Sequence, residues 1–140
     1  MNDAVALLIG HGSTCHHQEK VIRGLVNIVK HKGVFADVFY AFMRFNRPKL
    51  SDVLTEIVKK GFRRIIAIPI FIAEGSHTLE DIPDMLGIPR GARYCKKRMD
   101  DIEIEIFYAR PLGIDDKIAE VLIKRGLELL NEEFHEGKDP

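Results

Sequence analysis

Residues 4–9 read AVALLI and run straight into GHGS at residues 10–13. An unbroken apolar run closed by a glycine is the pattern of a strand buried on both faces of a parallel sheet, because a strand with one wet face would alternate. The segments that follow fit that start. From about Glu19 to Lys32 the apolar Val21, Leu25, Ile28 and Val29 recur at helical spacing and Gly33 supplies a stop, which predicts a first helix with that apolar face. Asp37 to Phe42 (DVFYAF) predicts a second strand. Pro48 sits where a helix can start, ahead of the apolar face Leu50, Val53, Leu54, Ile57 and Val58 and the stop at Gly61. Arg64 to Phe71 (RIIAIPIF) is the strongest strand signal, β-branched and uncharged after its first residue, and is expected at the centre of the sheet.

A short helical segment is expected around Leu79 to Leu86, and the Gly, Pro and basic residues from Gly87 to Arg98 read as a loop. Ile102 to Tyr108 (IEIEIFY) alternates apolar with acidic, the pattern of a strand with one less buried face near an edge. Ile114 to about Phe134 predicts a long last helix with Ile118, Val121, Leu122 and Leu129 facing inward, and the tail HEGKDP is expected to fray. Strand and helix thus alternate four times. The expected fold is α/β, a four-stranded parallel sheet with helices on both faces, forming one three-layer domain over residues 1–140. A flavodoxin-like strand order, 2-1-3-4, makes the first and third strands neighbours and puts the ligand crevice between their carboxyl ends.

Composition narrows the class. The chain has 140 residues, one domain's worth, with 46% hydrophobic and 30% charged residues, which excludes disorder and collagen-like or disulfide-stapled folds. Lys plus Arg number 21 and Asp plus Glu number 21, so there is no global basic field of the kind that nucleic acid attracts. The longest apolar run, Ile65 to Ala73, contains Pro69 and falls far short of the ~20 residues of a membrane span. The N-terminus has an acidic residue in place of a basic n-region and does not read as a signal peptide. Cys15 and Cys95 match no metal-ribbon spacing, and their use suggests a reducing compartment such as the cytoplasm.

The chemistry-bearing residues cluster at the expected crevice. His11 follows the first strand and His77, in EGSHT, follows the third. Adjacent strands lie ~4.8 Å apart, so these two loops can bring both imidazoles to one divalent ion. A lone histidine in a glycine loop is more often a packing or hydrogen-bonding residue; the convergence argues for a ligand. GHGSTC lacks the third glycine of a dinucleotide fingerprint and any GK[ST], although an anion could rest on its amides and the Ser13 hydroxyl, which leaves open a phosphate-ligand enzyme. Ser13 is not in a GxSxG elbow. His16 and His17 are expected to be solvated. Glu74, Glu80 and Asp81 can orient His77 or relay protons, or Glu80 and Asp81 can simply cap a helix. Basic residues gather at Arg44 and Arg47 and again at Arg90, Arg93, Lys96, Lys97 and Arg98, positions suited to a polycarboxylate ligand or to a solvated loop.

Three segments in this order resemble a known family: strand-GHGS, PIFIAEGSHTLEDIP from Pro69 to Pro83, and YARPLG from Tyr108 to Gly113. Together they resemble the short sirohydrochlorin chelatases, class II chelatases of the CbiX short type, related in fold to ferrochelatase. The resemblance implies that His11 and His77 bind the metal and that a divalent ion, cobalt or nickel and conceivably iron, is inserted into sirohydrochlorin as a substrate, with no permanent cofactor. Catalysis is expected from His11, His77 and Glu80, and substrate contacts from Ser13, Arg44, Arg47, Gly75, Ser76 and Thr78. The resemblance also implies a homodimer, since long forms carry two such halves in one chain. In many members the segment after the second strand carries a glutamate, in a phrase like GFLE; this chain has AFMRFNRP, with Arg44 in its place. A third ligand is then left to Glu74 or Glu80, or the histidines suffice, or metal use has diverged. A non-catalytic metal or tetrapyrrole binder of the same fold is the alternative.

Overall fold

The computed structural model describes residues 3–130. Its strands are β1 (Val5–Gly10), β2 (Val38–Phe42), β3 (Arg64–Pro69), β4 (Tyr94–Met99) and β5 (Ile102–Tyr108). Its helices are α1 (His17–Lys32), α2 (Leu50–Lys59), α3 (Ile82–Leu86) and α4 (Asp116–Leu130), with one π-helical turn at His77–Asp81 leading into α3. The sheet order is β2-β1-β3-β5-β4, so β3 is central as expected. β1 pairs in parallel with β2 and β3, Leu7 lying opposite both Phe39 and Ala67, and β3 pairs in parallel with β5.

The sheet therefore has five strands and is mixed, where the sequence predicted four and all parallel. The extra strand is β4, inside the expected loop, and it runs antiparallel to β5. Its turn is Asp100-Asp101, both at positive φ (49° and 64°), a two-residue reversal of the kind that twisted hairpins favour. Aspartate tolerates that conformation, but without a glycine the signal was easy to miss. Lys96 and Arg98 stand opposite Glu105 and Glu103, so the acidic alternation of β5 is matched by basic residues on an exposed edge strand.

One side of the sheet is fully covered. Val5, Leu7, Ile9, Ile65, Ala67, Ile104 and Ile106 pack there against Leu50, Val53, Leu54 and Ile57 of α2 and Ile82 and Leu86 of α3, so the expected face of α2 is the observed one. Each of the Val, Leu and Ile side chains contributes about 1.5–3 kcal/mol by leaving water. The other side is covered only over β1 and β2, where α1 packs on Ala6, Leu8, Val38 and Phe42. The inward residues of α1 are Ile22 and Val26, with Val29 half-buried beside them. Val21, Leu25 and Ile28 instead form a second, exposed apolar stripe, which corrects the face read from the sequence.

The last helix departs further. No residue of α4 is buried, and Val121, Leu122 and Leu129 are about half or more exposed (48%, 68% and 51%), contrary to the inward face expected of them. Ile118 is half-buried, and Ile114 precedes the helix in full exposure. Among the described residues no helix covers the second face over β3 and β5, and Ile66, Ile68 and Phe107 are only partly covered. Phe134 and the tail lie outside the described residues.

Candidate metal centre

The centre forms where β1 and β3 end side by side. β1 continues into His11, and the segment after β2 runs alongside it: Met43 N–H donates to the Gly10 carbonyl at 3.0 Å and Arg44 N–H to the His11 carbonyl at 3.1 Å. Ser13 N–H donates to Asn46 Oδ1 at 2.7 Å, and Gly12 N–H to Gln18 Oε1 at 2.5 Å. Gly12 has φ +94°, and a Cβ there would drive into the Arg44 carbonyl, so this close approach admits only glycine. The two loops behave as one rigid edge.

His77 is held by a separate set of contacts. It begins the π-helical turn, a local widening often found at functional sites. Next to it, Thr78 is buried at 2% exposure, and its carbonyl accepts from the Tyr108 hydroxyl at 2.7 Å. Thr78 Oγ1 accepts from Gly75 N–H at 2.9 Å. Desolvation, with the nearby Glu74 charge adding to it, pushes the Tyr108 phenol up to about 12, so it stays a neutral donor. Glu74 accepts from Arg93 at 2.8 Å. Hydrogen bonding to Thr78, followed by Arg93, holds its carboxyl below the usual range against the opposing effect of desolvation.

These supports bring the His11 and His77 rings to 4.8 Å between centroids, tilted by 54°. His11 Nδ1 lies 2.8 Å from the Gly12 carbonyl and His77 Nδ1 lies 2.7 Å from Asp81 Oδ2. A carbonyl and a carboxylate only accept, so both Nδ1 atoms carry the proton and both Nε2 atoms keep their lone pairs when the rings are neutral. Fixing the second nitrogen in this way is the usual preparation of a histidine ligand. The acid that orients His77 is Asp81. Glu80 is exposed, and its side chain forms no hydrogen bond or ion pair among the described residues.

A cavity of about 350 Å³ opens beside the pair, lined by Met43, Arg44, His77, Asp81, Asp84 and Met85. A second, of about 520 Å³, shares Met43, Arg44 and Met85 and adds Arg47 and Lys49. Arg44 lines both cavities and Arg47 the second. Ser13 lines neither cavity, and its hydroxyl accepts from Cys15 N–H at 3.1 Å; Gly75 and Ser76 are exposed in the loop before His77, and Thr78 is buried, away from the substrate position expected of it. The second basic cluster is largely tied up: Arg90 pairs with Asp84 at 2.7 Å, Arg93 with Glu74, and Lys97 donates to the Leu86 carbonyl at 3.0 Å. His16 and His17 are exposed, as expected. Among the described residues no group of three or more His, Cys, Asp and Glu side chains is placed to hold an ion.

Sequence reasoning passed over Phe45 and Asn46. Phe45 lies 6.2 Å from the His11 ring and is 63% exposed, and Asn46 ties the two loops together. Their one signal was position, directly after the second strand at the switch point.

This is the class of mainly parallel α/β domain that carries paired histidines at its topological switch point. The CbiX family model matches residues 5–129, and the chain belongs to that family. It is 33% identical over 139 residues to the sirohydrochlorin cobaltochelatase of Methanopyrus kandleri, covering 91% of this chain and 97% of that one. With the sirohydrochlorin cobaltochelatase of Saccharolobus solfataricus it shares 38% identity over 128 residues, again 91% and 97%. The fold is also similar to the crystal structure of the sirohydrochlorin chelatase SirB from Bacillus subtilis in complex with cobalt, at TM-score 0.73 and 19% identity, covering 92% of this chain and 51% of that one.

Proposed function

We propose that this protein is a sirohydrochlorin chelatase that inserts a divalent ion, cobalt first among the candidates and nickel next, into the macrocycle. The observation that carries this reading is the pair of imidazoles 4.8 Å apart with both Nδ1 atoms engaged and a cavity beside them. Imidazole suits cobalt and nickel alike. The ion is a substrate: His11 and His77 take it through Nε2 and pass it to the macrocycle nitrogens. Insertion of a dication into the free-base ring of the macrocycle releases its two pyrrole N–H protons, and imidazoles that have just given up the ion can accept them. Asp81 stabilises the resulting imidazolium at His77. Arg44 and Arg47, with Gly75 and Ser76 in the loop before His77, hold the peripheral carboxylates. The names and extents of the relatives support the same reading.

The working unit is a homodimer. An unpartnered apolar helix and an unpartnered apolar half-face occur in the same chain, α4 and the β3–β5 surface, and each supplies what the other lacks. A second copy provides both at once in a self-complementary, two-fold arrangement. Both cysteines are free, which suits a reducing compartment such as the cytoplasm.

The test is an insertion assay across cobalt, nickel and iron, followed by the visible absorption of sirohydrochlorin. His11→Ala and His77→Ala should each abolish insertion; wild-type rates in either would sink the two-histidine mechanism. Stoichiometric binding of metallated product with no acceleration over spontaneous insertion would instead identify a non-catalytic carrier.

A further inference from the structure

Phe45 is held out of the fold beside the candidate ligands. It is 63% exposed, its ring lies 6.2 Å from the His11 ring, and it lines the 520 Å³ cavity together with Arg44, Arg47 and Met85. Among the described residues every other phenylalanine is buried or half-buried. The Arg44 guanidinium stands 5.5 Å from the Phe45 ring centroid, a contact that is weak at an exposed site and does not account for the placement.

The backbone that presents this ring is strained. Asn46 N–H donates to the Arg44 carbonyl at 2.8 Å, and Phe45 between them has φ +67°. A hydrogen bond spanning one residue at positive φ makes the rare form of the γ-turn, a conformation that glycine enters freely and a bulky side chain avoids. The neighbours impose it. Arg44 N–H donates to the His11 carbonyl at 3.1 Å, and Asn46 Oδ1 accepts from Ser13 N–H at 2.7 Å, so both residues flanking Phe45 are tied to the His11 loop. Strain of this kind persists where the surroundings over-determine it, as they do in ligand clamps. Phe45 thus combines two unfavourable features, an apolar ring in water and a backbone better suited to glycine.

We propose that Phe45 is the platform on which one face of the macrocycle rests, next to His11. The proposal rests on the chelatase reading and adds a binding residue to it. A conjugated macrocycle has apolar faces as well as a carboxylate rim. Arginines suit the rim, whereas a face calls for a flat apolar partner such as a phenyl ring. Stacking removes hydrocarbon on both partners from water. The turn aims the ring before the ligand arrives, so little ordering is left to be done on binding.

The test is a titration of metal-free sirohydrochlorin, followed by its visible absorption, into wild type, Phe45→Gly and Phe45→Tyr. Cobalt(II) affinity and melting temperature are measured on the same three proteins. Phe45→Gly should bind the macrocycle about tenfold more weakly than wild type. It should keep wild-type cobalt affinity, and should melt no lower than wild type because glycine accepts the positive φ without strain. Phe45→Tyr, which keeps the ring, should bind the macrocycle as wild type does. Unchanged macrocycle affinity in Phe45→Gly overturns the platform. So does an equal loss of cobalt affinity in Phe45→Gly, since the ring would then serve His11, and so does a Phe45→Tyr variant as weak as Phe45→Gly. A wild-type protein that binds no sirohydrochlorin overturns the chelatase reading itself, and the platform with it.

Discussion

Replacing Asp81 by asparagine isolates the contribution of the acid behind His77. Asp81 Oδ2 lies 2.7 Å from His77 Nδ1, a charge-assisted hydrogen bond of the kind worth about 1.5–3 kcal/mol. The two side chains are 39% and 47% exposed, so water screens the contact and the lower end applies. About 1.5 kcal/mol corresponds to about tenfold in affinity. The amide weakens the site by two routes. Through its oxygen it still accepts from Nδ1 but without the charge; through its nitrogen it donates, which moves the ring proton to Nε2 and removes the ligand lone pair. Asp81→Asn should therefore bind cobalt(II) about tenfold more weakly than wild type, with insertion at limiting cobalt slowed by a similar factor and insertion at saturating cobalt slowed less. Calorimetry for affinity and visible absorption for insertion measure the two effects, with far-ultraviolet circular dichroism as the check on folding. Unchanged affinity and rate in Asp81→Asn, alongside an inactive His77→Ala, would refute the argument that Asp81 prepares His77.

The raised Tyr108 phenol, at about 12, makes stability depend on alkaline pH. The unfolded phenol ionises near 10 and the folded one later, so the contribution is whole below pH ~10 and is lost as pH rises towards 12. Thermal melts of wild type should fall more steeply across that window than those of Tyr108→Phe; parallel curves would show that the buried hydroxyl has no such role. On α4, Leu122→Glu changes a residue that is 68% exposed in the single chain, so it should leave the fold intact while shifting sedimentation from dimer to monomer. A wild-type chain that sediments as a monomer at assay concentrations would remove the dimer from the mechanism.

Much of the sheet was legible because buried parallel strands and amphipathic helices impose local patterns. AVALLI is apolar on both faces because both faces of β1 are covered, whereas in β3 Ile65, Ala67 and Pro69 are buried and Ile66 and Ile68 are only half-buried, and α2 shows its five buried residues at helical spacing. The two histidines were legible for a topological reason: once β1 and β3 are neighbours, the loops after them must meet. The identity of the acid behind His77 was not. Glu80 and Asp81 stand three and four residues after His77, and both spacings put a side chain beside the imidazole on a helical turn; the structure places Asp81 there. Nor was β4 legible, because basic residues occupy its exposed positions and its turn lacks glycine.

The misread faces of α1 and α4 share a cause. Periodicity reports that apolar residues recur on a stripe; it carries no information about which chain covers that stripe. In α1 the stripe Val21, Leu25, Ile28 lies beside the one formed by Ile22, Val26 and Val29, and only the second touches this chain's own sheet. In α4 the apolar residues also recur at helical spacing, yet among the described residues none of them is buried and only Ile118 is half-buried. A helix that is apolar in sequence and bare in a single copy carries the cost of exposed hydrocarbon at about 25 cal/mol per Å², a cost that association removes. The same reasoning applies to charge: 21 Lys and Arg balance 21 Asp and Glu over the whole sequence, yet Arg44, Arg47 and Lys49 gather on one cavity, a local excess that a total does not show.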